Sequence, residues 1–246
     1  MSQAADSRVI SWLPAAAVFP PVSAALAEPD GLLAAGGDLS PHRLLTAYRQ
    51  GIFPWYSAGD PILWWSPDPR MVLFPDALRI HRSLAKTLRN APYTVRLDTD
   101  FAAVIQACAD TPRHGQPGTW IQPEMIAAYR QLHRLGYAHS VETWIDDRLA
   151  GGLYGVALGR AFYGESMFSR ATDASKIALA HLCAHLKRRE FGIIDCQMHT
   201  VHLQSLGAHL IPRGEFTATL GRLTRDGDPP GPWPADAIDG HYRKQP

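Results

Sequence analysis

Residues 51–70 read GIFPWYSAGDPILWWSPDPR and place three of the chain's seven tryptophans, with four prolines, in twenty residues that show neither a helical nor a clean strand period. Pro54, Pro61, Pro67 and Pro69 fix φ and remove backbone donors, so no long helix fits and an ordered, aromatic-rich loop is expected. Trp55, Trp64 and Trp65 must then find neighbours. Rings held on a stiff non-helical backbone can fill a core beneath the loop or stack on a nucleic-acid base, either worth about 1–3 kcal/mol per ring.

A chain of 246 residues can bury a substantial core and divide into two unequal parts. A formal charge of +1 gives no global attraction for a polyanion, so nucleic acid would have to meet a local basic patch. Cys108, Cys183 and Cys196 are an odd, scattered set without a CxxC pair, which argues against a disulfide framework and a structural zinc site and for a reducing cytoplasm. No basic start leads into an apolar segment, and no stretch reaches the roughly 18 apolar residues of a membrane span. The expectation is a protein neither exported nor embedded in a membrane.

Ahead of the aromatic stretch, Asp38 or Ser40 can cap a short amphipathic helix over 41–50, with Leu44, Leu45 and Tyr48 on one face and Gly51 as its stop. The texture changes after residue 70, so the domains are expected at 1–70 and 71–246. In the second part, MVLFP from Met71 reads as a strand, Arg79–Arg89 as a basic helix and 93–98 as a strand. A helix over 101–109, a Pro/Gly loop over 111–118 and a helix over 122–135 stopped by Gly136 follow. Residues 139–145 and 148–159 form a hairpin about an Asp146-Asp147 turn, and 160–169 a further strand. A long helix within 169–190 precedes a buried strand over 191–197, and the tail from Thr224 reads as irregular. Antiparallel strands, a long helix and a following central strand are the layout of an acetyltransferase-like α+β sheet of GNAT type.

Glu165 and Asp195 lie in otherwise apolar strands. A buried carboxylate needs a partner or marks a site; the alternative is a strand end that is solvated or caps a helix. Alternation places Asp195 and Gln197 side by side on one face. His181 and His185 have i, i+4 spacing, but Leu182 stands where a zinc protease would carry glutamate, so no metal is expected. No GxSxG marks a serine nucleophile; Ser166 and Ser169 read as strand and cap residues. Neither GGDLSP nor GGLYGVALG has the context of a nucleotide-binding loop. Arg79, Arg82, Lys86 and Arg89 form one basic stripe, either a solvated face or a track for a phosphate backbone beside the aromatic loop.

Together, GGDLSP at 36–41, GIFPWYS at 51–57, WWSPDPR at 64–70, GTWI at 118–121, GGLYGV at 151–156, GESMFS at 164–169 and IDCQ at 194–197 resemble the leucyl/phenylalanyl-tRNA–protein transferase family, in order from about residue 19 to about residue 216. The resemblance implies a small N-terminal domain on an acetyltransferase-like domain. It implies a cytoplasmic enzyme that moves leucine or phenylalanine, and by extension methionine, from aminoacyl-tRNA to proteins beginning with Arg or Lys and so marks them for degradation, without metal or cofactor. A monomer is expected. By motif, Trp55 and Trp120 would pack around the terminal adenosine. Leu153, Phe162, Met167, Leu182 and Ile194 would form the amino-acid pocket. Leu153 and Leu182 stand where the family can carry methionine and phenylalanine, which leaves the wall apolar and bears on the Leu/Phe preference. Arg82, Lys86 and Arg89 would contact the acceptor stem, and Glu165, Asp195 and Gln197 would be the catalytic set, with Asp195 and Gln197 expected to polarise or deprotonate the incoming α-amine and Glu165 to bind its cationic form. Two competing classes are an acyl-CoA-dependent N-acetyltransferase, which should carry a glycine-rich turn where SRATDASK stands, and a non-catalytic RNA-end-binding module, which leaves the polar set unexplained.

Overall fold

The computed structural model describes residues 10–14, 17–112, 120–225 and 231–233. A small sheet has the order β1-β2-β4-β3, formed by β1 (Ser11–Leu13), β2 (Leu32–Gly36), β3 (Phe53–Pro54) and β4 (Leu63–Trp65). Between β2 and β3 lies α1 (Pro41–Arg49), with Ser40 Oγ accepting from the Arg43 amide at 3.4 Å and Pro41 at its first turn. The 51–70 stretch is therefore more regular than a loop, because it contains β3 and β4. Strands of two and three residues are too short to display a period, and Pro54 is tolerated because β3 is an edge strand. β2 leads into α1 through Gly36 and Gly37, whose φ of 87° and 79° make the turn.

The larger sheet has the order β11-β5-β10-β9-β8-β7-β6. Its members are β5 (Arg70–Leu73), β6 (Thr94–Leu97), β7 (Ala138–Ile145), β8 (Arg148–Leu158), β9 (Ala161–Ser169), β10 (Ile193–Gln197) and β11 (His209–Ile211). Only β9 and β10 pair in parallel, as the intervening α5 (Ala174–Arg188) requires of a crossover; the other neighbours are antiparallel. Asp146 and Asp147 turn β7 into β8 with φ of 49° and 55°.

Alternation along these strands sorts their side chains into two cores. Leu153, Phe162 and Ile194 face one, together with Ile177, Leu182 and Leu186 of α5 and Leu84 and Leu88 of α2 (Arg82–Asn90). Tyr154, Tyr163 and Ile193 face the other, where α3 (Phe101–Asp110), α4 (Pro123–Arg134) and the small sheet pack. The chain is thus a mixed α+β fold with an N-terminal sheet set against one face of a larger sheet.

The basic helix starts at Arg82, later than the expected Arg79, because the Arg79 amide donates to Leu206 O at 2.8 Å and holds the preceding backbone out of the helix. The helix within 169–190 starts at Ala174, since Ser169 ends β9. The chain continues through α6 (Val201–Ser205) and α7 (Arg213–Leu223). Gly231–Trp233 has no regular secondary structure, as the tail composition suggested, yet Trp233 is buried. Most of the 111–118 loop and most of the tail lie outside the described residues.

Candidate active site

Two β-bulges build the site. Between β8 and β9 the register passes from Tyr154↔Ser166 to Gly155↔Gly164, leaving Glu165 as the extra residue. Between β10 and β5 it passes from Asp195↔Val72 to Gln197↔Met71, leaving Cys196 as the extra residue, with Gln197 in the left-handed region at φ 61°. A bulge interrupts alternation and re-aims the side chains after it. The expectation that Asp195 and Gln197 share one face is corrected by this geometry: Gln197 lines the same cavity as Ile194 and Cys196, and Asp195 does not.

Asp195 is fully buried behind that wall. Its Oδ1 accepts from Arg70 Nε at 2.8 Å and its Oδ2 from Arg70 Nη2 at 2.7 Å. The Arg70 guanidinium in turn lies over the Phe53 and Phe216 rings, 4.6 and 4.8 Å from their centroids. Oδ1 also accepts the backbone N–H of Gln197 at 2.9 Å, so the buried ion pair holds the bulge that presents Gln197.

Glu165 is the polar centre of the cavity. Its Oε1 accepts from the Tyr48 hydroxyl at 2.8 Å and from Gln197 Nε2 at 2.9 Å, and its Oε2 accepts from the Tyr129 hydroxyl at 2.8 Å. The two tyrosine oxygens also lie within hydrogen-bond reach of one another; each phenol has one proton, so that contact is a hydrogen bond only when one of the two turns its proton from Glu165 to the other. Burial pushes the Glu165 carboxyl up to about 7, against the opposing effect of the two hydroxyl donors, and burial holds both phenols well above their ordinary range. Sequence reasoning missed this pair. By spacing Tyr48 belongs to the apolar face of its helix, and Tyr129 is spaced with Met125 and Leu132 on α4, so neither differs by period from a core residue.

The cavity holds about 680 Å³, and its lining joins Glu165 and Gln197 to a largely apolar wall. Leu153, Phe162, Met167, Leu182 and Ile194, the expected side-chain pocket, all line it. Trp55 and Trp120 line it as well, with Phe53 beside them. Trp64 and Trp65 instead anchor the aromatic stretch: Trp64 Nε1 donates to Gly36 O at 2.8 Å and Trp65 Nε1 to Trp55 O at 2.6 Å. The Trp65 ring meets Trp55 edge-on at 5.5 Å, which fixes the angle at which Trp55 faces the cavity. The structure brings Arg82, Lys86 and Arg89 together on the exposed face of α2, opposite its buried Leu84 and Leu88, and not in the cavity. His181 and His185 are buried on α5, where burial lowers both to about 4. Among the described residues no group of three or more His, Cys, Asp or Glu could hold a metal, and no helix is long and apolar enough to cross a membrane.

A model of the leucyl/phenylalanyl-tRNA protein transferase family matches residues 72–221, and one of that family's N-terminal domain matches residues 37–68. A leucyl/phenylalanyl-tRNA–protein transferase of Chromobacterium violaceum is 62% identical over 237 residues, spanning 96% of this chain and 99% of that protein. Its counterpart in Nitrosomonas europaea is 66% identical over 205 residues, spanning 83% and 86%. Among solved structures, a Staphylococcus epidermidis protein of unknown function covers 74% of this chain and 68% of its own at 9% identity and a TM-score of 0.38, a likeness too distant to inform the site. With relatives this similar over nearly their whole length, the chain belongs to the leucyl/phenylalanyl-tRNA protein transferase family and is an aminoacyltransferase that draws on aminoacyl-tRNA.

Proposed function

We propose that this enzyme transfers leucine, phenylalanine or methionine from the 3′ end of tRNA to the α-amino group of proteins with N-terminal Arg or Lys, in the cytoplasm, as the marking step of N-degron degradation. The observation that carries the transfer reading is one cavity lined both by the apolar side chains Leu153, Phe162, Met167, Leu182 and Ile194 and by Glu165 and Gln197. The apolar walls fit a hydrocarbon side chain and discriminate modestly among similar ones. Trp55 and Trp120 are suited to stack on the terminal adenine. Residues 1–70 would then act as a small N-terminal domain and 71–246 as an acetyltransferase-like domain, a division supported by the strands of the larger sheet beginning at Arg70. The parallel β9/β10 pair with bulges in both strands supports the acetyltransferase-like description.

Transfer is aminolysis of an activated ester. The amine nitrogen bonds to the aminoacyl carbonyl carbon, the bond from that carbon to the ribose 3′-oxygen breaks, and one proton moves from nitrogen to the leaving oxygen. Holding amine and ester together supplies several kcal/mol of the barrier. A carboxylate with a pKa of about 7 is matched to an α-amine near 8, so Glu165 can bind the ammonium form and accept its proton. The Gln197 carboxamide orients the amine, and the ribose 2′-hydroxyl or the protonated Glu165 returns a proton to the 3′-oxygen. Asp195, buried against Arg70, serves by fixing Gln197. Arg82, Lys86 and Arg89 would neutralise acceptor-stem phosphates.

Acyl-CoA-dependent acetylation is the weaker reading. An acyl-CoA pyrophosphate would be held at the start of α5, but there the Asp173 carboxylate accepts from Lys176 Nζ at 2.8 Å and from Thr87 Oγ1 at 3.1 Å, and like charge would oppose an anion. The test is transfer of radiolabelled leucine from tRNA to a peptide beginning with Arg, against acetyl transfer from acetyl-CoA to the same peptide. Acetyl transfer without leucyl transfer would overturn the proposal.

A further inference from the structure

Phe162 forms part of the cavity wall, and its ring has little freedom on the far side. Gly155 lies so close that a Cβ there would stand 2.5 Å from Phe162 Cζ. The remaining flank is covered by Trp233, whose ring centroid is 5.8 Å from that of Phe162 at an interplanar angle of 31°. Trp233 comes from Gly231–Trp233, near the end of the chain and about seventy residues from Phe162 in sequence.

This short segment is held by specific contacts. Its Gly231 amide donates to Gly136 O at 3.0 Å, and Gly136, at φ +77°, leaves room for Gly231, whose nitrogen a Cβ would meet at 2.6 Å. The Trp233 amide donates to Asp98 Oδ2 at 3.2 Å. The same carboxylate accepts from the Ser140 amide at 2.8 Å and pairs with His139 Nδ1 at 2.7 Å. The His139 ring lies flat against the Trp233 ring at 4.1 Å and 5°, and the His185 ring lies at 4.6 Å on the same indole. Trp233 is 4% exposed and shares one core with Leu153, Leu182 and Ile194. It therefore joins β7, β9 and α5 directly behind the cavity wall.

We infer that Trp233 is a positioning residue that sets the depth of the amino-acid pocket by backing the Phe162 ring. The inference rests on the reading of this cavity as the aminoacyl side-chain pocket. Interiors pack to crystal-like density, so removing a bicyclic ring frees space into which the Phe162 ring can withdraw. The pocket then deepens, which favours the longer phenylalanyl side chain over the leucyl one.

The experiment places leucyl- and phenylalanyl-tRNA in competition in one reaction with an Arg-starting peptide, for wild type, Trp233→Ala, Trp233→Phe and Phe162→Ala. Both products arise from the same folded molecules, so partial loss of fold cancels in their ratio. Trp233→Ala is expected to raise the Phe/Leu ratio of kcat/KM by about tenfold, the order that one or two methylenes contribute in an apolar pocket. Trp233→Phe should return most of the way to wild type, and Phe162→Ala should also raise the ratio. A wild-type ratio in Trp233→Ala, alongside a raised ratio in Phe162→Ala, would overturn the role of Trp233 alone. An unchanged ratio in both would overturn the pocket reading beneath it.

Discussion

Glu165 carries a carboxyl pushed up to about 7 by burial, and this gives a pH signature with a definite sign. From the unperturbed value near 4.5 up to about 7 the folded protein holds a proton that the unfolded chain has released. The stability this group contributes is complete below that window and is lost as pH rises through about 7. The stability of Glu165→Gln relative to wild type should therefore improve by about 3 kcal/mol between pH 4 and pH 8, measured by urea unfolding. The single-turnover transfer rate of wild type should rise through about pH 7, whereas Glu165→Gln should lose that inflection and keep only the limb of the acceptor amine near 8. Asp195 gives a different signature, because replacing one partner of a buried pair strands the other. Asp195→Asn should cost roughly 3–5 kcal/mol of stability and slow transfer with little effect on aminoacyl-tRNA affinity. A wild-type rate for that variant would remove Asp195 from the presentation of Gln197.

At the scale of elements, the sequence was most legible where a period runs for several residues. The paired strands β7, β8 and β9 and helices α1, α3 and α4 fall where apolar spacing and glycine stops place them. Elements without a sustained period were missed, β3 and β4 because of their length. The bulges at Glu165 and Cys196 are one-residue slips fixed by partners distant in sequence, Tyr48 and Tyr129 at the first and Arg70, through Asp195, at the second. That is why the residue types of the site were readable while the relation of Asp195 to Gln197 was inverted. The basic stripe was read correctly as one face of α2, although Arg79 lies outside the helix. If it tracks phosphates, replacing Arg82, Lys86 and Arg89 together by Gln should weaken tRNA binding and reduce the log–log salt slope by about 3, read by filter binding over a salt series. An unchanged slope would mark it as a solvated face.

At the scale of the molecule, the cavity belongs to neither sheet alone. Phe53 and Trp55 reach it from the small sheet and its flank, Glu165 and Gln197 from the larger one, and Tyr48 crosses from α1 to Glu165. The Tyr56 hydroxyl adds a second link, to Glu124 of α4 at 3.0 Å. Tyr48→Phe removes a donor that stabilises the Glu165 carboxylate, so the rate inflection near pH 7 should move upward by part of a unit to one unit, while Tyr56→Phe should leave it in place. The central claim is that one cavity grips a hydrocarbon aminoacyl group and delivers it to an amine at Glu165 and Gln197. Its most direct test is single-turnover transfer of labelled leucine and labelled lysine from their respective tRNAs to an Arg-starting peptide by the purified protein. Efficient transfer of leucine with no detectable transfer of lysine is the predicted result; equal transfer of the two would contradict it.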